Sequence, residues 1–280
     1  MTERVPPDGA SLLTLADFST EALATFLDEA RAKGGAVALL PIGSTEPHGP
    51  HLPLSTDILL SEEACRRAAR ALATHGVCAL VAPSIAYGIT RYAAGFRGAV
   101  GISEATLVAL VTDVARALLD DGFAHVALVN NHLEPEHVAA IERAAAALFA
   151  ERGANRLSFP NQLTRRWGRT LTEEFKRGDC HAGRYETSLV LATRPDLVDD
   201  EVAKRLASLP ISLSQAIAAA QGAPVRFADI GMHRAYTGAP AEGTSAEGES
   251  IYERLVEMIV TEVTEMRAAL KQGAARASKP

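Results

Sequence analysis

Apolar residues in the first half of this chain alternate between helix-periodic stretches and unbroken runs. A periodic segment over residues 20–33 stops at Gly34-Gly35 and is followed by an apolar run over 36–42. Residues 57–74 place Leu60, Ala64, Ala68 and Leu72 on one helical face, and Gly76 ends that segment before a second apolar run over 77–83. A loop through Gly88, Gly95 and Gly98 leads to Ser103, a good helix N-cap. Leu107, Leu110, Val111, Val114 and Leu118 then repeat at helical spacing, and after Gly122 come a third apolar run, 125–130, and an Ala-rich helix over 136–151. Strands apolar on both faces, separated by helices, predict an α/β fold with a mainly parallel central sheet covered on both sides. In such sheets ligands bind beyond the carboxyl ends of the strands.

The pattern loosens after residue 160. A segment with Trp167 leads to Gly178-Asp179-Cys180-His181-Ala182-Gly183-Arg184-Tyr185-Glu186-Thr187-Ser188 and a short helix. Residues 205–245 read mostly as loop, with 216–220 helical. A last amphipathic helix carries Val256, Ile259, Val260, Val263, Met266 and Leu270 on one face, for the core or a subunit contact. With no repeat and no linker, one domain over 11–272 is expected, with unstructured ends at 1–10 and 273–280.

Composition narrows the class without naming a function. The 280 residues can bury a sizeable core, and a net charge of −6 without a basic block argues against nucleic-acid binding. Three cysteines, Cys65, Cys78 and Cys180, show no CxxC spacing, so a reducing cytoplasm is expected. Neither a signal-peptide pattern nor a membrane-length apolar run is present, which leaves a soluble protein with no membrane partner as the expectation.

The candidate chemistry begins where the first strand ends. Ser44 to Asp57 holds Glu46, His48, His51 and Asp57 in a stretch too rich in Gly and Pro for regular structure. Oxygen and imidazole donors without a thiolate suit Zn²⁺, Mn²⁺ or Fe²⁺. The third strand ends in Asn130-Asn131-His132-Leu133-Glu134, so parallel topology would bring both polar clusters to one rim. Asp57 at a helix start is placed to bridge two ions, with Glu46 and His132 completing one set and His48 and Glu134 the other. Each residue has a plainer use: Glu46 in a turn, Asp57 as an N-cap, His132 and Glu134 at the start of the next helix. His51 fits either direct involvement or a hydrogen bond to a ligand, and Glu186 either orders the site or starts a helix. His75, His125, His137 and His233 read as surface or structural, and Cys180 as a bystander.

Three separated motifs resemble the creatininase (creatinine amidohydrolase) family. They are Glu46-x-His48-Gly49-x-His51-Leu52-Pro53-x-x-Thr56-Asp57, Asn130-x-His132, and His181-x-Gly183-x-x-Glu186-Thr187-Ser188. Phe96-Arg97-Gly98 resembles the family's Phe-Pro-Gly segment. The resemblance implies a three-layer α/β/α fold, a binuclear metal-dependent amidohydrolase, and a homo-oligomer, a hexamer built as a trimer of dimers. It implies two divalent ions per chain, Zn or Mn with Fe also accepted. Glu46, Asp57 and His132 would hold one, and His48, Asp57 and Glu134 the other. His181 falls at the family's active-site histidine, a proton donor to the departing nitrogen. The expected substrate is a small molecule with a non-peptide, cyclic or formamide C–N bond. The family also contains a peptide-maturing hydrolase and a keto-inositol hydrolase, and a non-catalytic binding protein on the same fold is the alternative of a different class. Leu133 stands where creatininase has tyrosine, Cys180 replaces an acidic residue, and Trp167 is the chain's single tryptophan, so creatinine itself is not the expected substrate.

Overall fold

Each apolar run of the first half becomes a parallel strand, and each periodic stretch a helix. The structure, a computed structural model, describes residues 14–223 and 225–277. In chain order it contains α1 (Thr20–Ala32), β1 (Val37–Ile42), α2 (Thr56–Thr74), β2 (Ala79–Val81), α3 (Glu104–Asp120), β3 (His125–Asn130), α4 (Pro135–Arg152) and β4 (Leu157–Ser158). Then follow α5 (Arg165–Gly168), α6 (Glu173–Arg177), α7 (Arg184–Thr193), α8 (Asp200–Ala203), α9 (Leu213–Ala220) and α10 (Ser245–Ala277). The sheet order is β2-β1-β3-β4, and all three pairings are parallel.

Side chains alternate across a strand, so each strand divides its residues between two helical layers. Val37, Leu39, Ala127 and Val129 pack with residues of α2, α7 and α10 in one core cluster. Ala38, Leu40, Ile42, Val126 and Leu128 pack with residues of α1, α3 and α4 in the other. This is the expected three-layer α/β/α arrangement. Ser103 caps α3 as expected, accepting from the Thr106 amide, and Ser19 does the same for α1 from Ala22. A third cluster around Tyr92, Ala93, Val225, Phe227 and Met232 lies outside the layers.

Several boundaries differ from the sequence expectation. The second strand is shorter than 77–83, because the Val77 amide is spent on the Leu72 carbonyl at the end of α2. β4 is only two residues long, too short to leave a periodic signal. The last helix starts at Ser245 and continues through Ala277, so 273–277 extend it. Residues 1–10 and 278–280, expected to be unstructured, lie outside the described residues. Ile259 and Val263 of the α10 stripe are buried in the core with α2 and α7. Arg267 of the same helix donates to the carbonyls of Gly34 and Gly35, tying α10 to the turn before β1.

Gly248 allows α10 to approach α7, because a Cβ there would overlap the Ser188 carbonyl oxygen and carbon. An exposed helical glycine gains about 1 kcal/mol on replacement by alanine. Here overpacking against backbone should reverse that sign and leave Gly248→Ala less stable by about 2 kcal/mol. A melting temperature equal to or above that of the parent chain would refute the close approach.

Candidate metal centre

The sheet brings the two polar clusters together. Ile42 pairs with Asn130 at the ends of the parallel neighbours β1 and β3, so the loops that follow leave side by side. Glu46 and His48 lie on the loop after β1, Asp57 is the second residue of α2, and His132 and Glu134 follow β3. Ser61 of α2 donates to the Ile42 carbonyl and accepts from the Asn131 amide, fixing the helix to both strand ends. The start of α7 adds Glu186, and the turn before it adds His181. All of these functional side chains are buried.

Asp57 lies between two donor sets. Its Oδ2 is 3.1 Å from His132 Nδ1, which is 3.3 Å from Glu46 Oε1. Its Oδ1 is 3.1 Å from His48 Nε2, which is 3.5 Å from Glu186 Oε2. His48 Nε2 and Asp57 Oδ2 are buried yet make no hydrogen bond among the described residues. Donor atoms bound at about 2.0–2.2 Å to one ion stand roughly 3.0–3.5 Å apart, so these spacings and orphaned atoms fit a pair of divalent cations.

The composition of the two sets differs from the sequence expectation in one exchange. Glu186, not Glu134, stands with His48 and Asp57, whereas Glu134 groups with Glu46 and His132. Both Glu134 oxygens accept backbone amides, from Arg91 at 2.9 Å and Tyr92 at 3.2 Å. A third grouping, Glu46 with His48 and His181, spans the two sets, and His51 lies outside all three: its Nε2 meets the Thr187 hydroxyl at 2.9 Å, linking the loop after β1 to α7.

Hydrogen bonds on the far side of each ring determine which nitrogen faces the centre. His132 donates from Nε2 to the Ile89 carbonyl at 2.6 Å, leaving Nδ1 toward Glu46 and Asp57. His48 donates from Nδ1 to the Glu46 carbonyl at 3.1 Å, leaving Nε2 toward Asp57 and Glu186. His181 donates from Nε2 to the Pro47 carbonyl at 3.1 Å, so its Nδ1 faces Glu46 Oε1 at 3.9 Å. Thr90 donates to Glu46 Oε2, turning Oε1 toward His132. His137, expected to be surface or structural, is buried and structural: it accepts from the Ile89 amide and donates to Asn130 Oδ1.

Charge balance points the same way. Burial works against the ionised forms of Asp57 and Glu46, but His48 and His132 beside Asp57, and His132 beside Glu46, hold both carboxyls below their usual values. Burial likewise opposes a charge on His48, yet Asp57 and Glu186 carry its pKa up to about 10. For His132 the pull of Glu46 and Asp57 also exceeds burial and raises the pKa. Burial, aided by the neighbouring carboxylates, pushes Glu134 and Glu186 up to about 7. Burial, aided by His48, lowers His181 to about 4. Both imidazoles of His48 and His132 thus bind a proton more tightly than usual at positions where cations would sit, and metal binding would displace those protons.

Glu46, Asp57, His132, Glu134, His181 and Glu186 form the floor of a cavity of about 560 Å³, with His48 buried behind them. Its walls include Tyr92, Leu133, Phe175, Leu213, Ile217 and Phe227, and its lining reaches Arg165, Arg169 and Lys176. His181 lies between His48 and Phe227, with ring centroids 4.6 and 4.5 Å away. Cys180 lines the cavity, and its thiol is pushed up by burial. Trp167 does not reach the cavity: it is buried in the helical layer and donates to Glu262 of α10.

Sequence reasoning missed Thr90, the backbone amides of 91 and 92, Phe227 and Glu174. Backbone donors leave no residue-type signal, and a Glu in a weakly patterned segment has no obvious partner. Glu174 of α6 accepts from the amides of Arg184, Tyr185 and Ala239, at 3.0, 2.6 and 2.8 Å. It thereby caps α7 from outside, because the N-cap residue, Gly183, offers no side chain. One residue earlier Ala182 adopts left-handed backbone, φ 48°, and its amide donates to Glu186 Oε2 at 2.6 Å.

Comparison with known proteins gives a consistent picture. The family model for creatininase, creatinine amidohydrolase, matches residues 23–263. The chain is 34% identical to creatinine amidohydrolase of Pseudomonas putida over 187 residues, 61% of this chain and 70% of that one. It is 31% identical to the mycofactocin precursor peptide peptidase of Mycolicibacterium smegmatis over 223 residues, 79% of this chain and 81% of that one. A crystal structure of creatininase superposes with a TM-score of 0.68 at 24% identity, covering 91% of this chain and 98% of that one. Matching creatininase structures include a manganese form and a zinc–zinc form.

Glu174→Ala would leave three buried amides unpaired, at about 1–3 kcal/mol each. The variant should lose at least about 3 kcal/mol of stability in chemical denaturation, and Glu174→Gln less. An unchanged midpoint for the alanine variant would show that α7 does not depend on this carboxylate.

Proposed function

The chain belongs to the creatininase family, and from that premise we propose that it is a binuclear metal-dependent amidohydrolase acting on a non-peptide amide or formamide C–N bond of a small molecule. One observation carries the metal part of this reading: each oxygen of Asp57 lies 3.1 Å from an imidazole of a different donor set. Glu46, Asp57 and His132 would hold one ion with Glu134 adjacent, and His48, Asp57 and Glu186 the other. Two such ions, when bound, lower the pKa of water and polarise a substrate carbonyl. The donor set of carboxylates and imidazoles accepts Zn²⁺ or Mn²⁺, and Fe²⁺ as well.

The remaining chemistry falls to the chain's own residues. His181 keeps its Nε2 proton on the Pro47 carbonyl, so Nδ1 is the atom that takes up a proton and returns it to the leaving nitrogen. Burial keeps that imidazole neutral in the resting site, ready to accept. Phe227, stacked 4.5 Å from its ring, and Tyr92 present apolar surface to the space beside it.

A peptide substrate is the second reading, supported by the mycofactocin precursor peptidases, which match over four-fifths of this chain. The position of Trp167 outside the cavity argues against an aromatic closure over creatinine. The free thiols of Cys65, Cys78 and Cys180 agree with a reducing compartment, as proposed for a cytoplasmic homo-oligomer.

Metal analysis tests the assignment directly. Two ions per chain are expected, with Asp57→Ala losing both and Glu186→Gln losing the ion beside His48. Retention of two ions by Asp57→Ala would contradict the bridge. Should Glu134→Gln rather than Glu186→Gln empty the His48 side, the original pairing of His48 with Glu134 is the correct one. Chelation should abolish hydrolysis of amide or formamide substrates, and Mn²⁺ or Zn²⁺ should restore it; activity in fully stripped protein would exclude this mechanism.

A further inference from the structure

We infer that the mouth of the cavity recognises an anionic group, a carboxylate or a phosphate, carried by the substrate beyond the bond that is cut. The inference rests on the amidohydrolase reading for the location of that bond, and on the separation of charge along the cavity for the rest. Every acidic residue of the lining, Glu46, Asp57, Glu134 and Glu186, belongs to the donor groups at the floor. Every basic residue of the lining, Arg165, Arg169 and Lys176, comes from the short stretch spanning α5 and α6. These three cations stand together on a chain whose net charge is −6, and the acid beside them, Glu173, lies outside the lining.

Neighbouring residues show how unusual these cations are. Arg166 is committed elsewhere: it pairs with Glu265 at 2.7 Å and stacks over the Trp167 ring. Arg165 and Arg169 have no acidic partner within 4.0 Å and donate no side-chain hydrogen bond among the described residues, so their charges are available. Lys176 meets Glu173, whose side chain is 78% exposed, and such a solvated pair holds a lysine weakly. Arginine forks match the planar oxygens of a carboxylate or phosphate, and a cationic mouth raises the local concentration of anions.

The space between floor and lip suits the same ligand. Tyr92, Leu213, Ile217 and Phe227 form an apolar wall there. A cavity of about 560 Å³ has room for more than an isolated amide. The fitting substrate class is therefore an amide with an apolar middle and an anionic end.

Two substrate pairs differing only in charge test this on the metal-loaded protein. One is N-formylphenylalanine with its uncharged amide, and the other N-formylserinamide with its O-phosphate. Hydrolysis is followed as kcat/KM, and binding by calorimetry at low and high salt. In at least one pair the charged member should be favoured by about tenfold or more, with the preference shrinking as salt rises. Arg165→Ala combined with Arg169→Ala should bring that ratio close to one, whereas the corresponding double lysine variant should keep most of it. Both arginines are exposed, so the fold should survive, and a circular dichroism spectrum checks this. Equal handling of both members in both pairs overturns the inference even when formamides are hydrolysed. Preferential binding of a charged member without hydrolysis of any compound supports the anion site and removes the amidohydrolase reading instead. Failure of every compound to bind overturns the inference as well.

Discussion

Four carboxylates, Glu46, Asp57, Glu134 and Glu186, are buried together with no lysine or arginine among them, and much of the surrounding structure answers that charge. Removing an ionised carboxylate from water costs several kcal/mol unless something replaces the lost solvation. The chain meets this cost in three ways. Glu134 takes two backbone amides of the loop before α3, Glu186 takes the amide of Ala182, and Asp57 and Glu46 face imidazoles. What these interactions leave over is a demand for positive charge at two positions, one on each side of Asp57. The pair of divalent cations proposed for this site would answer that demand, and protonated imidazoles would do so in part.

Meeting the demand requires the backbone to be fixed far from the strands that carry the donors. Residues 88–92 are an example: they provide the Ile89 carbonyl for His132, the Thr90 hydroxyl for Glu46 and two amides for Glu134. The same segment receives His137 at the Ile89 amide, and His137 in turn reaches Asn130 at the end of β3. One loop therefore sets the orientation of three side chains from two different strand ends. On the other side, Glu174 fixes the start of α7, and Ala182 completes the turn that brings His181 and Glu186 to the centre. Hydrogen bonds on the far side of His48, His132 and Glu46 thus leave one face of each toward the centre.

The sequence was informative wherever function or packing imposed a local pattern. β3 was legible to the residue because its four apolar positions, Val126 to Val129, run between His125 and the polar cluster that begins at Asn130, and α3 because Ser103 and the helical period agree. Glu46, His48, Asp57, His132, Glu134 and His181 were all marked as candidates, and all but His48 line one cavity, with His48 buried directly behind Asp57. His51 was also marked, but its ring is spent on Thr187. Glu186 was marked with a lesser role than its position gives it, since spacing within a motif says nothing about which strand-end residue a helix start will meet. Thr90, Glu174 and the arginine-bearing lip went unread, because they lie in weakly patterned segments where neither spacing nor periodicity marks what a side chain will meet.

Taken by itself, the sequence determined the alternation of strands and helices, the family and the donor types, because each of these is written in local periodicity or in contiguous motifs. Only the tertiary structure decided that Glu186 rather than Glu134 stands with His48, which imidazole nitrogen faces the centre, and that Trp167 is a core residue. Those outcomes depend on distances between elements far apart in the chain, and on hydrogen bonds to backbone groups that every residue type carries alike. The run from Glu46 to Asp57 specifies the chemistry, and the packing of α7 and the loop before α3 against it specifies how that chemistry is arranged.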